Sequence, residues 1–129
     1  MSPRTSGRSP AETPRFGSKS SPEILMAEQL RQAGIPFVME YKFHPSRRWR
    51  CDFALEHNIL VEVEGGAYVG GRHVTGSGFE KDAEKYNAAA ELDFTVLRYT
   101  PRMVNDGTAL DQIRRILSKK LEEPNRDAA

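Results

Sequence analysis

Trp49, Cys51, Phe53 and Leu55 alternate with Arg48, Arg50, Asp52 and Ala54. After Glu56-His57-Asn58 the alternation resumes, with Ile59, Val61 and Val63 set against Leu60, Glu62 and Glu64. A strand sends successive side chains to opposite faces, so the stretch predicts two antiparallel strands joined by a tight turn. One face is apolar and belongs on a core; the other carries two arginines and three carboxylates. A three-residue turn sets Leu55 opposite Ile59 and, by the same count, Asp52 opposite Glu62, with Glu64 on the same face. A two-residue turn would mix the faces.

The rest of the chain supplies elements around this hairpin. Ser21-Pro22-Glu23 opens a helix, with Ser21 as N-cap and proline at the first helical position. Met26, Leu30 and Ala33 form its buried stripe, and Gly34 stops it. Ile35 to Phe43 predicts a strand with a proline near its start. Ser77-Gly78-Phe79-Glu80 has the form of a capping box opening a helix to about Leu92. Phe79, Ala83, Tyr86 and Ala90 would face the sheet. Phe94 to Tyr99 is a compact strand, and Thr100-Pro101 ends it. Strand, helix and strand with short links imply a right-handed crossover and parallel pairing with Ile59–Glu64. A last helix spans about Thr108 to Leu121, with Leu110, Ile113, Leu117 and Leu121 as its stripe. The order is α/β, with a single domain at 21–121.

Composition narrows the picture. Residues 1–20 are rich in Ser, Pro, Gly and Arg and nearly free of apolar side chains, which predicts a disordered basic arm. Residues 122–129 read as a frayed tail. Net charge over the 129 residues is +1, so nucleic-acid binding would need a local patch. The one cysteine, Cys51, excludes an internal disulfide framework and a cysteine-built zinc site. It fits a reducing cytoplasm, and no signal-peptide pattern opens the chain.

Candidate chemistry concentrates at the hairpin. Asp52, Glu62 and Glu64 crowd one face, and opposed like charges destabilise a sheet. Either they splay into water or a hard cation sits between them; Mg²⁺ suits one or two carboxylates plus waters. Glu40 is a plausible fourth acid, and Glu28 is better read as solvated. Lys42, Arg47, Arg48 and Arg50 crowd one corner, fit to hold phosphates or to balance the acids. Gly65 to Gly76 is a glycine-rich loop without the GK[ST] ending of a P-loop. It would present Tyr68, Arg72 and His73, the last fit for a phosphate contact or proton transfer. Lys81 and Lys85 lie one turn apart on the following helix.

The ordered set resembles a nuclease of the PD-(D/E)XK superfamily. WRCDFAL, VEVEGG, GGRH and FEKDAEKYNAA resemble small phage- and bacteria-borne endonuclease-like proteins related to the very-short-patch repair endonuclease. The resemblance implies a restriction-endonuclease-like α-β-β-β-α-β core: a four-stranded mixed sheet flanked by helices, plus a C-terminal helix. It implies an Mg²⁺-dependent endodeoxyribonuclease, with Mn²⁺ as a substitute metal. Asp52 and Glu62 would be the principal metal ligands, with the Val63 carbonyl completing the shell. Glu64 stands where the motif lysine belongs, and Lys81 or Lys85 would take that role. Glu64 or His73 would accept the proton, while Arg47, Arg48, Arg50, Tyr68 and Arg72 contact DNA.

The rival function is a catalytically decayed nucleic-acid-binding module on the same fold, with metal chemistry lost through Glu64. A carboxylate-pair glycosidase ranks last, because few aromatics line a sugar cleft. So short a nuclease points to a homodimer or to a structure-selective substrate, in a bacterial cytoplasm.

Overall fold

The computed structural model describes residues 21–64 and 76–123, and the elements follow the apolar pattern closely. Helix α1 spans Ser21–Gln32. It buries Met26, Ala27 and Leu30, one turn apart on one side. Gly34 (φ 74°) closes it: the Ile35 N–H donates to the Leu30 carbonyl and the Gly34 N–H to that of Arg31. These are the two bonds of a left-handed helix stop.

Strands β1 (Val38–Lys42), β2 (Arg50–Leu55) and β3 (Ile59–Val63) form an antiparallel run. Leu55 pairs with Ile59 and Phe53 with Val61, the register of a three-residue turn. His57 and Asn58 both take positive φ to make that turn. Helix α2 (Gly76–Glu91) then crosses to β4 (Thr95–Tyr99), which pairs parallel to β3. The sheet order is β1-β2-β3-β4. Helix α4 (Thr108–Glu122) ends the described chain. This is the expected α/β architecture, a four-stranded mixed sheet flanked by helices with a C-terminal helix.

One short element escapes the pattern. Thr100-Pro101 ends β4 as expected and also starts helix α3 (Pro101–Asn105). The Thr100 hydroxyl accepts from the Met103 N–H, and proline takes the first helical position. This helix buries Val104 against α1, whose Gln29 amide donates to the Val104 carbonyl at 3.1 Å.

The sheet is covered on both sides. Met26, Leu30, Phe53, Ile59, Val61, Val104 and Ile113 form one core with α1, α3 and α4. Phe43, Cys51, Leu60 and Ala89 form a second, smaller core under α2. Strand β3 therefore buries Ile59, Leu60 and Val61 in succession, as strands covered on both faces do.

Three local expectations change. α2 takes in Gly76 and Ser77, so its start precedes the capping-box position. Its buried side is turned: Ala89 is buried, whereas Phe79 is 68% exposed. In α4, Ile113 is buried but Leu121, in the last turn, is 75% exposed. The arm at 1–20, the loop at 65–75 and the tail beyond 123 lie outside the described residues. So do Tyr68, Arg72 and His73.

Candidate functional site

The apolar face of the hairpin does not stay on one side of the sheet. Phe53 packs with α1, whereas Cys51, two residues earlier, packs under α2. On the neighbouring strand Met39 packs against the α1 core and Tyr41 against the α2 core. Met39 pairs with Phe53 and Tyr41 with Cys51, so Glu40 faces Asp52 at the point where both strands change sides. Glu40 makes the change with φ 54°, a left-handed conformation that an L-residue adopts at a cost.

This break gathers acids. Carboxylate oxygens of Glu23, Glu40 and Asp52 all lie within 4.8 Å of one another. Asp52 accepts from the Val63 N–H at 2.7 Å. Burial pushes the Asp52 carboxyl up to about 8; hydrogen-bonded Glu23 and the charge of Glu62 push the same way, and the Val63 N–H opposes them. Arg50 approaches Glu40 at 3.9 Å from the rim.

Glu23 is the member of this cluster that the sequence pattern alone did not single out. It stands at the helical positions of the buried stripe, three, four and seven residues before Met26, Ala27 and Leu30. A carboxylate on an otherwise apolar stripe is the signal that pointed to it. Glu28 is exposed and paired with Arg31, as expected of a solvated side chain.

Glu62 and Glu64 do not share the Asp52 face; the change of sides separates them. Glu62 turns under α2, where Lys85 Nζ donates to it at 2.9 Å and the Tyr86 hydroxyl lies at 3.4 Å. The paired Lys85 and Glu62 side chains are only 17% and 12% exposed. The Cys51 thiol bonds Glu62 from the sheet, and burial with that carboxylate pushes it up to about 12. Cys51 is thus a packed thiol rather than a nucleophile. Glu64 takes a two-pronged bond from Arg98, whose guanidinium also lies 4.3 Å from the Tyr86 ring centroid. Burial and Glu62 raise the Tyr86 phenol, so it stays a neutral donor.

The two candidate lysines part company: Lys85 is drawn in to Glu62, while Lys81 is exposed. Of the basic corner, Arg47 lies 3.9 Å over the Trp49 ring and Arg50 approaches Glu40, while Arg48 is exposed. Val63 is seen through its amide rather than its carbonyl.

No family model matches the chain, and neither does any curated protein. A solved structure does: the catalytic domain of the homing endonuclease I-Bth0305I. It is 22% identical, covers 78% of this chain and 93% of its own length, and has a TM-score of 0.54. The likeness is one of fold. No described helix is long and apolar enough to cross a membrane.

Proposed function

We propose that the chain is a divalent-metal-dependent endonuclease acting on DNA phosphodiester bonds. The convergence of Glu23, Glu40 and Asp52 carries this reading. The fold it shares with a homing endonuclease catalytic domain supports it.

The donor set suits Mg²⁺ or Mn²⁺. All three groups are oxygen donors, and ligands of a small octahedral cation lie about 3 to 4 Å apart. Asp52, half-buried beside two other acids, gains an opposing charge when a cation binds. Such a cation would supply Lewis-acid activation of the attacking water and of the phosphate.

The chain's own groups do the remaining work. Asp52 is the central ligand, fixed by the Val63 amide. Glu23 and Glu40 flank it, in place of the Glu62 and Val63 carbonyl that the superfamily motif suggests. Glu62 is committed to Lys85, and that pair holds the ammonium under α2. Lys85, rather than Lys81, is the motif-lysine candidate that is held in place, but it sits with Glu62 on the α2 side of the sheet, so steadying negative charge on the phosphate falls to Arg50, which approaches Glu40 at the cluster. Arg48 and Arg50 draw the DNA backbone to the site. Glu64 is held by Arg98, which leaves His73 as the proton acceptor.

The test is cleavage with Mg²⁺ and with Mn²⁺ of supercoiled plasmid, linear duplex, single strand, mismatched duplex and branched junction. Cutting that needs metal and vanishes in Asp52→Ala supports the endonuclease. Binding without cutting on every substrate would favour the decayed module instead.

A further inference from the structure

Just ahead of Asp52 in the chain, on the α2 side of the sheet, the start of β2 carries a stacked column. Phe43 is buried, with its ring edge-on to Phe94 at 5.9 Å. Trp49 stacks on Phe43, with ring centroids 6.1 Å apart and planes 13° from parallel. The Arg47 guanidinium centre lies 3.9 Å from the centre of the Trp49 ring. At that separation the planar group lies against the ring face. His44 holds the turn that delivers it: its Nδ1 accepts from the Ser46 and Arg47 amides, both at 3.1 Å.

The outermost layer of this column is spare. Arg98, stacked on Tyr86, spends its donors on Glu64. Among the described residues, the charged partner of Arg47 is Glu84, at 4.0 Å, with the Arg47 side chain 49% exposed. So loose and solvated a pair consumes little of its charge. Arg47 thus offers a flat cationic face fixed in place by the rings beneath it.

We propose that this column takes an unpaired nucleobase as its next layer, stacked on the outer face of Arg47. The inference rests on the endonuclease reading and names its substrate class: DNA with an unpaired base close to the scissile phosphate. A phosphate needs only charge, which exposed Lys42, Arg48 and Arg50 already supply nearby. A pre-stacked guanidinium plane adds something only for a partner with a free π-face. Bases inside a duplex have none free. Trp49 lies three residues before Asp52, its side chain on the opposite side of the sheet, at most about 10 Å of extended chain away. That is about three nucleotide rises of duplex DNA.

The test is fluorescence anisotropy in EDTA, where no metal-dependent cutting occurs. The probes are a labelled single strand, the same strand with abasic sites, and a closed-end duplex hairpin. The wild-type chain should bind the single strand about 5- to 100-fold more tightly than the abasic strand. Arg47→Lys keeps the charge and loses the plane, so it should bind the two strands alike with an unchanged salt slope. Arg47→Ala should lose the discrimination and lower the salt slope by about one. Trp49→Leu should lose the discrimination by releasing Arg47. Equal wild-type affinity for base and abasic strands, discrimination kept in Arg47→Lys, or no binding at all would overturn the proposal. Metal-dependent cutting of duplex that is lost in Asp52→Asn would leave the endonuclease reading standing even then. Base discrimination without cutting under any metal would instead retire the endonuclease reading alone.

Discussion

Glu40 stands opposite Asp52 at the one place where β1 and β2 exchange faces, and it holds φ 54° to do so. The strained backbone and the gathered carboxylates are one feature. Glu40→Gly should relieve the strain and Glu40→Ala should keep it, while both remove the carboxylate. Glu40→Gly should therefore be the more stable by about 1 kcal/mol in denaturant unfolding. Equal stabilities would mean that the conformation costs nothing here.

The raised Asp52 carboxyl makes the metal-free protein sensitive to pH. Its folded value is about 8 against an ordinary 3.8. The folded state therefore keeps a proton that the unfolded chain gives up. This group's contribution to stability is full below about 4 and is lost as pH rises through about 8. In EDTA, Tm should fall between pH 5.5 and 8.5, and Asp52→Asn should flatten that fall by about 3–6 °C. Mg²⁺ competes with the same proton, so its affinity should climb across this range and level off above it. Parallel pH profiles for wild type and Asp52→Asn would contradict the assignment.

Lys85 and Lys81 should behave differently. Lys85→Met leaves the Glu62 carboxylate largely buried without its cation, a loss of about 3 kcal/mol by the behaviour of buried pairs. Glu62→Gln with Lys85→Met should recover part of it. Lys81→Ala, at an exposed position, should change stability by no more than about 0.5 kcal/mol. In cleavage, Lys85→Met should lose no more activity than its loss of folded protein accounts for. A larger loss would put Lys85 at the phosphate.

Much of the fold was legible because its signals are local. Two-residue alternation, the turn at 56–58 and the stripe of α1 each depend on neighbours in sequence. The parallel return of β4 followed from the helix α2 between the two strands. Of the proposed centre, only Asp52 and, as a fourth acid, Glu40 were legible. Alternation assumes that a strand keeps its faces, and a left-handed glutamate breaks that assumption without any glycine to announce it. Asp52 and Glu62 consequently looked like a pair although they part to opposite sides of the sheet. Glu23 lay hidden in a helix start, where an acid is ordinary. Phe79 misled in the opposite way: its spacing fits the apolar stripe of α2, yet the buried side of that helix centres on Ala89.

The most direct test is Mn²⁺ binding followed by electron paramagnetic resonance at pH 8. The panel is wild type, Glu23→Gln, Glu40→Gln, Asp52→Asn and Glu62→Gln, each checked for folding by circular dichroism. A centre built by Glu23, Glu40 and Asp52 predicts binding in wild type, loss in Asp52→Asn and at least about tenfold weakening in Glu23→Gln and Glu40→Gln. Glu62→Gln should still bind. Loss of Mn²⁺ in Glu62→Gln, with Glu23→Gln and Glu40→Gln unaffected, would contradict the account and put the metal on the other side of the sheet.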